Sequence, residues 1–367
     1  MLEDFQVSEE AELNEEITQV PKEVRKLRTQ PYDKSIIDLM GMIERREIDL
    51  RPNFQRNTVW DTKRASLLIE SIWLNIPIPQ IFVSVEEDGM WNVIDGQQRL
   101  TSLWRYYKNE FKLRGLEVLS ELNGFNYSSL DDKPQRLLHG GNIRIVAIHE
   151  DSHPDIKFDV FMRINQGAVQ LNAQELRNCL YRGDLNDSLH ELVNNQQLLS
   201  ILKLSKPHNR FKDIEMILRY FSVSDSYSKD FENYPGVMKK FLNDFMLSNR
   251  NISCSLIDKN KRLFTENLNK VYSIFGDDAF RKWDKSLSQF DSKLNLSLMD
   301  CQMLAVERYS ISEIETHRVV LKDKFISIFE SNEPIEFHDA ITTGTSSKIK
   351  LEYRVSFLIK IFDEIMG

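Results

Sequence analysis

The chain has 367 residues with 48 Lys or Arg against 56 Asp or Glu, a formal charge of −8, and that length predicts two domains rather than one compact core. Hydrophobic residues at 41% and charged ones at 28% give a globular balance, and the acidic sum excludes a dedicated non-specific DNA binder, whose affinity comes from neutralising phosphates. Cys179, Cys254 and Cys301 are scattered and form no CxxC pair, so they read as small buried apolar residues of a cytoplasmic protein, and neither a leader peptide nor a run near the roughly 20 apolar residues of a bilayer span is visible.

Residues 1–20 hold Glu3, Asp4, Glu9, Glu10, Glu12, Glu15 and Glu16 with no Lys or Arg, and read as an acidic flexible tail. Asp33 is the expected N-cap of a first helix with Ile36, Ile37, Met40 and Ile43 on one face. An extended segment follows from Ile48 to Arg56. A second helix is expected from about Asp61 to Trp73, with Ala65, Leu68, Ile69 and Ile72 inward. Ile76-Pro77-Ile78-Pro79 ends it, because the residue before a proline is pushed out of the helical region. Ile81–Val85 and Trp91–Ile94 predict two strands joined at Asp88-Gly89. Asp95 then reads as the N-cap of a helix whose apolar stripe is Leu100, Leu103, Trp104 and Tyr107, with Gln98 completing a capping box. Ile143–Ile148 predicts a strand and Phe158–Ile164 a helix. Asn172 and Glu175 predict a second capping box. Trp73, Trp104, Phe158 and Phe161 sit at core spacing.

From about Asp184 onward the alternation typical of strands almost vanishes. Amphipathic helical stretches succeed one another around Ile214–Tyr220, Val237–Met246, Leu263–Ile274, Val319–Phe329 and Tyr353–Ile365. The expected organisation is α+β: a tail over 1–20, a first domain over 21–183 and an all-helical domain over 184–367.

Asp95-Gly96-Gln97-Gln98-Arg99 carries the sharpest chemical signal. A helix start offers unpaired N–H donors and the positive end of the helix dipole, and so favours phosphate. Gly96 permits close approach to the backbone. Arg99 supplies a permanently charged fork, and Asp95 a ligand for Mg²⁺. The same spacing also fits a plain helix cap with a surface ion pair, and spacing alone leaves both readings open. His149-Glu150-Asp151-Ser152-His153 matches the HExxH zinc pattern, but it follows a strand and precedes Pro154, so it reads as a polar loop. Lys203, Lys206, Arg210 and Lys212, and likewise Lys259, Lys261 and Arg262, read first as solvated helix faces and second as candidates for DNA contact.

The string Val93-Ile94-Asp95-Gly96-Gln97-Gln98-Arg99-Leu100-Thr101-Ser102-Leu103 resembles the signature of the GmrSD restriction enzyme N-terminal domain family, a relative of ParB and sulfiredoxin folds. Further similar segments come in order. They are Pro52-Asn53-Phe54-Gln55-Arg56 with Trp60, Leu68–Ile72, Ile76–Pro79, Phe161-Met162-Arg163-Ile164-Asn165 and Leu171–Arg177. Gly344-Thr345-Ser346 with Arg354 adds a fainter match. The resemblance implies a ParB/sulfiredoxin-like domain that binds, and in some members hydrolyses, a nucleoside triphosphate with Mg²⁺. Members belong to antiphage or restriction systems.

Carried over residue by residue, Asp95, Gln97, Gln98 and Arg99 are the candidate catalytic set. Gly96, Thr101, Gln55, Arg56, Arg163 and Asn165 are the candidate nucleotide-binding set. The expected partners are the nucleotide, DNA through local basic patches, a partner nuclease or effector, and a second copy of the chain; no membrane is among them. The two-part restriction enzymes add a His-centred HNH nuclease. Here His190, His208, His317 and His338 lie far apart in sequence, without that signature. Two rival readings stand: a metal-dependent DNA nuclease of ParB-like fold, and a non-enzymatic nucleotide-sensing scaffold.

Overall fold

The structure, a computed structural model, describes residues 27–50, 60–86, 88–149, 152–164 and 172–367. The described residues fall into two compact units that divide between Leu180 and Tyr181. The acidic stretch over 1–20 lies outside them.

The first unit runs β1 (Thr29–Ser35), α1 (Ile36–Glu44), β2 (Ile48–Asp49), α2 (Thr62–Trp73), β3 (Ile81–Val85), β4 (Trp91–Asp95), α3 (Gln97–Tyr107), α4 (Asp132–Gly140), β5 (Asn142–Ile148), α5 (Pro154–Ile164) and α6 (Ala173–Leu180). The strands form one mixed sheet in the order β1-β5-β3-β4-β2. β1 and β5 pair antiparallel, as do β3 and β4, while β5 and β3 run parallel. Successive strand residues point to opposite faces. Ile81, Val83, Val93, Ile143 and Ile145 join a core with Leu39, Ile69, Leu100 and Tyr106 of the helices on one face. Ile94 and Ile148, one step out of phase, are also buried. On the remaining helices α6 packs on β4 and α5 on α6, with Phe158, Phe161 and Leu176 fully buried.

Local chemistry explains where the helices begin. Asp33 is a strand residue, bound through both carboxylate oxygens to Arg144 opposite it on β5, at 2.9 Å each. The cap of α1 is instead Ser35, whose hydroxyl accepts from the Asp38 N–H at 3.2 Å, and this shift turns Ile37 outward, 37% exposed, and Leu39 inward. Asp61 caps α2, and Ala65, Leu68, Ile69 and Ile72 all point into the core as their spacing requires. α5 begins at Pro154, earlier than Phe158, since proline suits the first helical position. That start leaves His149 and His153 off any shared helix face. A buried Glu70 on α2 accepts N–H bonds from Glu117, Val118 and Leu119 at 3.3, 2.8 and 2.8 Å. It pins the long connection between α3 and α4.

The second unit contains α7 (Asp184–Leu192), α8 (Gln196–Leu202), α9 (Lys212–Tyr227), α10 (Met238–Ser248), α11 (Cys254–Phe275), a short hairpin of β6 (Trp283–Asp284) and β7 (Gln289–Phe290), α12 (Leu296–Ala305), α13 (Ile311–Ser331), α14 (Ile335–Ala340) and α15 (Lys348–Met366). α12 is the hub, buried along almost its whole length and packed against α9, α11 and α15. At its centre Asp300 takes Arg219 of α9 through two bonds of 2.8 Å and Arg354 of α15 at 2.6 Å. Burial alone would raise the Asp300 carboxyl, but the two guanidiniums hold it below the usual carboxylate range. Arg354 also donates to the Thr345 carbonyl at 2.7 Å, so the Gly344-Thr345-Ser346 turn and Arg354 are one braced assembly. Of the cysteines, Cys179 and Cys301 are buried, but Cys254 at the start of α11 is exposed.

Candidate functional site

The candidate site lies where β4 hands over to α3. Gly96 stands between them in the left-handed region, at φ 94° and ψ 7°, and is the N-cap of α3. The expected capping box is therefore absent: Asp95 belongs to the strand, and no side chain caps the helix. The glycine is required twice over, since a Cβ there would also come within 2.6 Å of Ile81 Cγ1 and 3.1 Å of Arg99 Nη2. Its bare side is thus filled by the protein itself, so it is not the face a ligand would approach.

The neighbouring helix starts show what is unusual here. α1 and α2 carry side-chain caps from Ser35 and Asp61. α6 carries the full box expected, Asn172 and Glu175 bonding each other's N–H at 2.7 Å each way. α4 lacks a capping bond, but Asp132 lies in its first turn. The first turn of α3 has neither a capping bond nor an acidic residue, and instead holds Gln97, Gln98 and Arg99. The carboxylate nearest its dipole end in sequence is that of Asp95, the strand residue before Gly96, which is ion-paired to Arg99.

Asp95 and Arg99 face each other across this turn, with Arg99 Nη2 on Asp95 Oδ2 at 2.6 Å. The side chains differ in access: that of Arg99 is 11% exposed and that of Asp95 37%. Burial pulls the guanidinium below its ordinary value, opposed by the charge and hydrogen bond of Asp95. Arg99 Nη1 also reaches the Pro79 carbonyl and, at 3.3 Å, that of Gln80. The arginine thereby ties α3 to the Pro-rich segment before β3, a link that its sequence spacing does not reveal.

Gln98, expected in the capping box, instead accepts the Trp60 N–H at 3.0 Å. Gln97 is buried, 6% exposed. Thr101, one turn further along α3, is half-buried. Gln55 and Arg56 lie outside the described residues. Asn165 also lies outside them. Arg163 is exposed in the last turn of α5, and no hydrogen bond joins it to the Asp95–Arg99 turn. Sequence reasoning missed the polar character of buried α6. Gln174, Arg177 and Asn178 are at most 1% exposed, linked by Gln174 Nε2 to Asn178 Oδ1 at 2.9 Å and Arg177 Nη1 to Gln174 Oε1 at 3.2 Å. Four polar residues among eight on a core helix were the available signal.

Among the described residues, no group of three His, Cys, Asp or Glu side chains is placed to hold a metal ion. A phosphate-bridged Mg²⁺ needs only one or two protein carboxylates, and the half-exposed Asp95 fits that smaller requirement. No helix of the described residues is long and apolar enough to cross a membrane.

A mixed sheet flanked by helices defines an α+β domain, and the chain continues into a helical one. Residues 36–182 match the family model described as the GmrSD restriction endonuclease, N-terminal domain. The first unit is therefore a GmrSD-type N-terminal domain, which belongs to restriction-type antiphage systems. Neither curated proteins nor solved structures give a match to the chain.

Proposed function

We propose that the Asp95–Arg99 turn binds the phosphates of a nucleoside triphosphate with Mg²⁺, and that the chain hydrolyses it. The nucleotide cycle would drive a restriction-type defence protein acting on DNA or through a partner effector. The observation that carries this reading is the first turn of α3, which no side chain caps and which carries Arg99 paired with a half-exposed Asp95, where its neighbours are capped or acidic. Such a turn gathers backbone donors and dipole around an anion.

The side chains divide the work by access. Arg99 presents a planar fork that suits phosphate oxygens better than a single carboxylate oxygen does. A polyphosphate competes with Asp95 for that fork, and Asp95, the more exposed partner, is then available to a metal. Bound there, Mg²⁺ would neutralise phosphate charge and acidify a water. Gln98 accepts the Trp60 N–H and so fixes Trp60 beside the turn. Asp95 is the side chain of this set best placed to orient a water.

The test is thermal shift combined with phosphate release, using ATP, GTP, CTP and UTP with Mg²⁺, on the wild type and Arg99→Ala. The reading predicts that at least one nucleotide stabilises the wild type, by about 2.7 kcal/mol at a hundredfold excess over Kd. It also predicts that Arg99→Ala loses this effect and that phosphate is released. Stabilisation without release would make the chain a nucleotide sensor. No shift with any nucleotide would remove the site.

A further inference from the structure

Beside the Asp95–Arg99 turn stands an aromatic ring that the phosphate reading does not use. Trp60 immediately precedes Asp61, the cap of α2, and its N–H bonds Gln98 Oε1 at 3.0 Å. The first turn of α3 thus holds Arg99 and the anchor of Trp60 side by side. The indole is half-buried and packs in part on the core of the sheet unit. One side of the ring system is therefore fixed by the core while the rest meets solvent.

The other tryptophans are differently engaged. Trp91 meets the Tyr32 ring at 5.3 Å between centroids, Trp104 meets Tyr107 at 6.0 Å and Trp283 meets Phe290 at 5.1 Å. Trp73 donates its indole N–H to the Pro134 carbonyl at 2.9 Å. Among the described residues, Trp60 meets no other aromatic ring, and its face carries the Arg64 guanidinium, 4.3 Å from the ring centroid. Arg64 is exposed, and among the described residues no carboxylate is paired with its guanidinium. A cation held on an exposed ring by that attraction alone is held weakly. The ring face is thus covered by a planar group that is free to swing aside.

We propose that this face of Trp60 is the stacking platform for the base of the nucleoside triphosphate, a proposal that rests on phosphate binding at the neighbouring turn. Bases stack on aromatic rings and on guanidinium planes alike. Arg64 therefore lifts and closes over the base, so that indole, base and guanidinium form three layers. The indole offers a flat apolar surface whose position is already set by the core and by Gln98. Stacking needs a π-face and no particular hydrogen-bonding edge, so the platform accepts all four bases. Arg99 holds the phosphates, and Trp60 separates a nucleotide from a bare polyphosphate.

The test compares ligands of equal charge on the full chain with Mg²⁺: ATP, GTP, CTP and UTP against methyl triphosphate, which has the triphosphate without base or ribose. Dissociation constants are measured by calorimetry on wild type, Trp60→Ala, Trp60→Phe and Arg99→Ala. The proposal predicts that Trp60→Ala weakens nucleotide binding by about tenfold or more and leaves methyl triphosphate binding unchanged. Trp60→Phe, which keeps a stacking ring, retains most of the nucleotide affinity. Arg99→Ala, by contrast, weakens both kinds of ligand alike. Nucleotide, but not methyl triphosphate, also quenches the indole emission of wild type, and Trp60→Phe loses that quench. Unchanged binding of methyl triphosphate by Trp60→Ala separates lost stacking from lost fold. Full nucleotide affinity in Trp60→Ala, equal losses of both kinds of ligand in that variant, or a quench that persists in Trp60→Phe would overturn the stacking proposal and not the phosphate reading. No binding of any of these ligands by wild type would overturn both.

Discussion

Both units pair arginine with aspartate, and they do so in opposite ways. In the helical unit Asp300 lies between Arg219 and Arg354, and the side chains of Asp300 and Arg354 are fully buried. In the sheet unit Arg99 meets Asp95 alone, at a helix start, with the carboxylate 37% exposed. The chemistry is the same and the consequence differs with burial. An ion in low dielectric cannot be left alone, so the Asp300 cluster has no alternative arrangement and acts as a strut. Beside water, a pair is worth little and can exchange partners cheaply. An exchangeable pair at an uncapped helix start is what an anion site needs; a buried cluster linking three helices is what a scaffold needs.

Breaking the strut should have the largest effect. Asp300→Asn leaves two buried guanidiniums short of their charge and should cost about 3 to 5 kcal/mol, read as a large fall in the melting temperature of the helical unit. The sign with pH follows from the depressed carboxyl. Its stabilisation is present above the ordinary aspartate pKa and is lost only as pH falls through the lowered one, so acid unfolding of this unit should sharpen in strong acid. An Asp300→Asn variant as stable as wild type would contradict the comparison.

Gly96→Ala should come next. It forces an alanine to φ 94° and against Ile81, costing roughly 1 to 3 kcal/mol, measurable by urea or thermal melting of the sheet unit. Glu70→Ala should cost a similar or smaller amount, about 1 to 3 kcal/mol, by stranding three N–H groups. Burial pushes the Glu70 carboxyl up, but its three N–H bonds together hold it below its ordinary value. Its contribution is therefore present above the ordinary glutamate pKa and disappears as pH falls through the depressed one. The smallest expected change in stability is that of Asp95→Asn, about 1 kcal/mol, because the carboxylate it alters is 37% exposed. A loss as large as that of Asp300→Asn would show that the two pairs are alike after all.

The sequence revealed more of the elements than of their junctions. α2 and its inward face, the hairpin of β3 and β4, the Asn172–Glu175 box and the run of helices after Asp184 follow from periodicity and capping rules, which act locally. The cap of α1 is Ser35 and not the expected Asp33 because a strand partner, Arg144, claims Asp33 from 111 residues away. The expected box at Asp95 fails for both local and distant reasons. Arg99, four residues on, claims the aspartate, Trp60, 38 residues away, claims Gln98, and the left-handed backbone makes Gly96 the cap. A glycine and an arginine at the end of an apolar strand mark the candidate site by residue type; their wiring to Pro79, Gln80 and Trp60 is not legible in the sequence.

The central claim is that Arg99 and Asp95 exchange each other for phosphate and metal. Equilibrium titration with a fluorescent nucleoside triphosphate, in Mg²⁺ and in EDTA, on wild type, Asp95→Asn and Arg99→Ala tests it most directly. The account predicts that wild type binds and gains from Mg²⁺, that Asp95→Asn still binds but with the gain from Mg²⁺ largely lost, and that Arg99→Ala loses about tenfold or more in affinity, a deficit of at least roughly 1.4 kcal/mol. Equal affinities in the three proteins, with the same dependence on Mg²⁺, would contradict it.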